Sequence, residues 1–252
     1  MTATTIFKCW ICGDVATTGE HKTKRTDLLA LREPTQSNPA YFHDANRPNQ
    51  LIRSLDAKVL KSTGRLCASC NNARTQPHDR AWEKMSKWIR VRRPALQPGN
   101  IVRANRIFKD NTKRQMLGVH LFFVKLFGCM IMESDKKIPI DTASLGDAIL
   151  SDSAHPNVYL KFASSMNYFG RSDLEFQHSD DFVHVFACWM YQLTWITVIV
   201  MFATPGEQRN GLINAWHPRY GTNKLKIADG NPQASVPALS LTATPRGVWV
   251  LN

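Results

Sequence analysis

Apolar side chains recur along this chain in two rhythms, helical in the middle and alternating or continuous beyond residue 150. Ala81, Trp82, Met85, Trp88 and Ile89 return at helical spacing and predict an amphipathic helix of about four turns. The preceding Thr75-Gln-Pro77-His-Asp79 is a helix start, with a hydroxyl cap candidate and an early proline, and Arg90, Arg92 and Arg93 suit the negative end of its dipole. Lys113 to Met132 is dominated by Leu, Phe, Val and Met and predicts a buried helix, and Asp141 caps a shorter one through Leu150. Val158 to Ala163, Leu174 to Gln177, Val183 to Tyr191 and Thr194 to Phe202 predict strands, with Gly247 to Leu251 as an edge strand. The stretch Phe182 to Ala203 is long enough to span a membrane. It carries His184, Gln192 and two threonines among β-branched and aromatic residues, so two consecutive strands and no membrane partner are expected.

The first seventy residues are less regular. Phe7 to Gly19 predicts a short hairpin with Gly13 and Gly19 at tight turns. Residues 22–66 form a long polar connection, helical near Asp27 to Arg32 and again near Asn49 to Lys61. A basic run followed by Pro94, Pro98 and Gly99 marks a seam. The expected architecture is therefore α+β: an N-terminal module over 1–93, a linker over 94–100, and a separate mixed α/β domain with antiparallel strands over 101–252. No internal repeat is visible.

Composition narrows the class. At 252 residues, 43% hydrophobic and 21% charged, the chain is that of a folded protein and excludes a disordered tail. Net charge is +12, and residues 1–100 carry 17 Lys and Arg against 8 Asp and Glu, so the excess lies in the first half. A basic surface of that size suits a polyanion, most simply nucleic acid, through counterion release. No apolar stretch follows a basic head at Met1, which leads to an expected cytoplasmic, reducing location.

That setting changes how the cysteines are read. Cys9-Trp-Ile-Cys12 and Cys67-Ala-Ser-Cys70 are two CxxC turns, each able to present two sulfurs to one ion, and together they predict a closed structural zinc site. A redox dithiol would want a βαβ setting that is missing here. Cys129 and Cys188 lie in apolar stretches and read as buried small hydrophobes. His120, His155, His178, His184 and His217 are scattered through the second half and read as core or surface residues, and His43 as surface.

At Thr18-Gly-Glu20-His21 and Leu66-Cys67-Ala-Ser-Cys70-Asn71-Asn72 the chain resembles the zinc-stapled members of the HNH endonuclease superfamily, over roughly residues 5–92. The resemblance implies a ββα-metal module that hydrolyses phosphodiester bonds of DNA, with RNA left open, as in a phage-borne or host-defence effector. By position, His21 matches the general base, Glu20 the acidic metal ligand and Asn71 the helix-borne second ligand, with His78 a further candidate ligand. Magnesium or manganese would suit these oxygen donors. Arg74, Asn72, Lys22, Lys24 and Arg25 would contact the nucleic acid. The family's middle asparagine has no counterpart in Lys61-Ser62-Thr63-Gly64-Arg65, and its role of holding the histidine ring passes to Ser62, Thr63 or a backbone carbonyl. Residues 101–252 would supply targeting, a homodimer contact or protein-partner docking. The competing reading is a non-catalytic zinc module that binds nucleic acid or recruits partners.

Overall fold

The computed structural model describes residues 7–31, 40–43, 50–52, 54–165, 169–206, 212–230 and 248–250. Two sheets organise them. In the smaller, β1 (Thr18–His21) pairs antiparallel with β4 (Lys61–Leu66), with Thr18 opposite Leu66 and His21 opposite Lys61. Between these strands lie α1 (Arg25–Leu31), β2 (Ala40–His43), β3 (Gln50–Ile52) and a 3-10 turn at Lys58–Leu60. The helix expected near Asn49 to Lys61 is thus replaced by a strand and a single tight turn. Gly13 is at a turn with φ of 80°, as expected, but Gly19 lies inside β1. After β4 come α2 (Ala68–Asn71) and α3 (Gln76–Val91), the latter with proline in its first turn and Arg90 in its last.

The larger sheet has ten strands among the described residues. Along it run β3, β2, β12 (Val248–Val250), β7 (Phe169–Arg171), β9 (Val185–Leu193), β10 (Ile196–Ala203), β6 (Val158–Ser164), β11 (Lys224–Ala228) and β5 (Ile101–Arg103), with β8 (Glu175–His178) also on β9. All pairings are antiparallel except β11 with β6. The 22-residue stretch long enough for a membrane is the β9–β10 hairpin, with Leu193 opposite Ile196.

Between the sheets runs α4 (Thr112–Glu133), flanked by α5 (Thr142–Leu150), whose start is capped by Asp141. By length and composition α4 is apolar enough to cross a membrane, but 83% of its most apolar window is buried inside the protein. Its length is explained by what it covers. Phe127 stacks on Phe202 of β10, while Phe122 and Phe123 pack on Trp82 of α3, whose ring also meets Tyr191 of β9 edge-on. Each such side chain contributes about 1.5–3 kcal/mol through burial.

One cluster of buried apolar side chains therefore runs from Cys9 and Ile11 through α3 and α4 to Leu225 and Ile227. The Pro94–Asn100 stretch, expected as a linker, is threaded into it: Leu96 is buried, and Gly99 N donates to the Ile227 carbonyl at 2.8 Å. The first CxxC turn docks onto the helices where they lack side chains. A Cβ on Gly128 of α4 would fall 2.3 Å from the Trp10 ring, and one on Gly146 of α5 would fall 3.0 Å from the Ile11 carbonyl.

Candidate functional site

The four cysteines converge as their spacing predicts. Cys9, Cys12, Cys67 and Cys70 place their sulfurs within 4.8 Å of one another, and among the described residues they are the group of three or more His, Cys, Asp or Glu that could hold a metal. Cys12 Sγ and Cys67 Sγ are 3.6 Å apart. A tetrahedral zinc with bonds of about 2.3 Å separates its sulfurs by about 3.8 Å, so the donors fit a structural metal such as zinc. Two donors already point at the sulfurs: Cys70 N at Cys67 Sγ and Arg74 Nη1 at Cys70 Sγ, both at 3.3 Å. Burial raises the Cys12 thiol to about 11 and the Cys70 thiol further, and a bound metal would favour their thiolate forms.

Above this cluster, β1 carries Glu20 and His21 outward from the clip. The pairing with β4 shifts register between Gly19 and His21, so regular alternation is broken at Glu20. Glu20 is buried and His21 half-buried. His21 Nε2 lies 3.3 Å from the Leu55 carbonyl. A carbonyl only accepts, so Nε2 carries the proton and Nδ1 holds the free lone pair. Burial lowers the imidazole pKa, against opposing contributions from Glu20 and from the Leu55 carbonyl, and keeps the ring neutral at pH 7. The ring is thus held by a backbone carbonyl, one of the three substitutes expected for the absent asparagine. Ser62 is occupied elsewhere, donating to Glu133 Oε2 at 3.2 Å.

Asn71 is brought to the same strand. Its Nδ2 donates to the Gly19 carbonyl at 3.4 Å, leaving Oδ1 buried and without a hydrogen-bond partner among the described residues.

Glu20 is not free in the same way. Its Oε1 accepts from His21 N at 3.1 Å, and its Oε2 meets Lys125 Nζ of α4 at 2.6 Å. The same ammonium donates to Asp79 Oδ1 at 3.0 Å and Thr75 Oγ1 at 3.1 Å, and Asp79 Oδ2 in turn meets Lys24 Nζ at 3.0 Å. Lys125 is fully buried; burial opposes its charge, but the two carboxylates outweigh that and hold it protonated. His78 turns to Asp152, 3.2 Å from Nε2, and burial lowers its pKa.

Of the three residues expected around a catalytic metal, then, Asn71 alone offers an unpartnered oxygen. Glu20, held by Lys125, does not fit a divalent cation in this arrangement, whereas His78 Nδ1 is buried and has no hydrogen-bond partner among the described residues.

The expected nucleic-acid contacts divide as well. Lys22 pairs with Glu133, and Lys24 with Asp79 and Glu83, so both serve the interior. Arg25, Asn72 and Arg74 are exposed. Cys129 and Cys188 are buried as expected. His43 lies in β2, whose side chains fall outside the described residues.

Reading the sequence missed Lys125, although a lysine centred in an apolar helix was a visible signal. It also missed that three of the scattered histidines meet. His155 N donates to His120 Nε2 at 3.2 Å, and His217 Nε2 sits 2.8 Å from the His155 carbonyl.

No protein-family model, no curated protein and no solved structure matches this chain.

Proposed function

We propose that the metal-clipped β1–β4–α3 unit is an HNH-type endonuclease site that hydrolyses phosphodiester bonds of DNA, with His21 as the general base. The observation that carries this reading is the contact of His21 Nε2 with the Leu55 carbonyl, which leaves Nδ1 of a neutral, partly exposed imidazole free to take a proton. Water deprotonated there attacks phosphorus in line with the leaving 3′ oxygen. The exposed Arg25 and Arg74 hold the strand by its phosphates. Asn71 Oδ1, buried beside the same strand, is the oxygen available to a cation. Glu20 is already held by Lys125 and is not offered to a cation.

A second reading has its own support. Lys125 neutralises Glu20, as would be expected if the unit only bound nucleic acid.

Nicking of supercoiled plasmid separates the two. Wild-type protein in EDTA, Mg²⁺ or Mn²⁺ should give open-circular product in at least one condition. A gel shift with the plasmid left supercoiled in every condition would favour the binding module and defeat the nuclease.

A further inference from the structure

A cavity of about 750 Å³ opens at the far end of α4 from the cysteine clip, within the usual size range of small-ligand sites. Three cations line it, Lys113, Arg114 and Arg219, and no carboxylate does. Trp216, Met116 and Leu117 supply apolar wall. The backbone adds to the positive character. Asn111, ahead of α4, makes no side-chain cap, and Thr112 Oγ1 donates instead to the Phe108 carbonyl at 2.7 Å. The first-turn amides of this 22-residue helix therefore have no protein partner among the described residues. Arg114 is partly balanced by Asp152, which also holds His78 at the start of α3. Lys113 is exposed and has no carboxylate partner among the described residues.

We propose that this cavity binds a small organic phosphate with a flat apolar body, a nucleotide, its phosphates held by Lys113, Arg114 and Arg219 and its base against Trp216. A cleft bounded by both cations and apolar carbon matches a ligand with both characters. The Arg114–Asp152–His78 chain ties the cavity to the nuclease unit, because an anion that draws Arg114 away leaves Asp152 to His78 alone.

Calorimetric titration of the full chain with ATP, adenosine, inorganic phosphate and a 12-base-pair DNA duplex tests this. ATP should bind at one site per chain, more tightly than phosphate or adenosine. The double variant Lys113→Glu, Arg219→Gln should weaken it roughly tenfold or more. Asn223→Trp, which fills the cavity from its rim without changing charge, should weaken it as well. His21→Ala should bind ATP as wild type does, so binding is judged apart from cleavage. No saturable ATP binding at millimolar concentration, or unchanged binding in both cavity variants, overturns the proposal. So does duplex binding that the double variant abolishes while ATP does not bind.

Discussion

The two sheets are held together by different physics. The larger is built from strands such as Ile196–Ala203, buried at every position, and needs only close packing against α4. The smaller has two short strands, one of which reads Lys-Ser-Thr-Gly-Arg-Leu, and cannot close a core of its own. It is closed by four sulfurs at one end and by a lysine borrowed from α4 at the other. A unit that exposes polar chemistry gives up apolar burial, and the clip and the ion pairs replace it.

The largest effect expected of breaking that contrast is at the clip. Binding of a structural zinc is worth about 10–16 kcal/mol in small zinc units, at least as much as the 5–15 kcal/mol net stability of a typical domain. Cys67→Ser should therefore lose its metal and unfold the β1–β4–α3 unit, seen as lost zinc by mass spectrometry and lost helicity by circular dichroism. Retained helicity and an unchanged melting curve in the metal-free variant would show that the cysteines are not structural ligands.

Next comes Lys125. Lys125→Met leaves Glu20 and Asp79 buried and uncompensated, with an expected loss of about 3–5 kcal/mol in urea denaturation. Adding Glu20→Gln should recover part of it, because one of the stranded charges is then gone. A loss below about 1 kcal/mol would show that water reaches this network.

Acid should also loosen the place where α4 packs beside the larger sheet, through three buried histidines. Burial, with His217 nearby, lowers His155 to about 4, and burial lowers His120 and His217 too. A histidine whose folded pKa lies below its unfolded value of about 6.5 excludes a proton that the unfolded chain binds. Its contribution is intact above about pH 6.5 and is lost as pH falls toward 4, by about 3 kcal/mol for His155. Denaturation midpoints between pH 7 and 4 measure this. His155→Asn should flatten the slope, and an unchanged slope would mean that His155 is not the group responsible.

The same contrast explains what could be read from the sequence. β6, β9, β10, α3 and α4 were legible because burial writes a strong local pattern, and the cysteines because metal geometry demands a fixed spacing. Lys125 was not, since its partners Glu20 and Asp79 lie 105 and 46 residues away in sequence and nothing local encodes the meeting. Lys22 and Lys24 looked like nucleic-acid contacts for the same reason, because their carboxylate partners come from other elements. Pro94 to Asn100 resembled a linker by its residues, yet α3 and α4 on either side of it share one core.

Whether that borrowed architecture serves catalysis comes down to His21. The direct measurement is the rate of supercoiled-plasmid nicking by wild type and His21→Ala at equal zinc content and equal melting temperature. Loss of a general base predicts a fall of roughly 10²–10⁴-fold. Equal rates in the two proteins would contradict the assignment of His21 as the base.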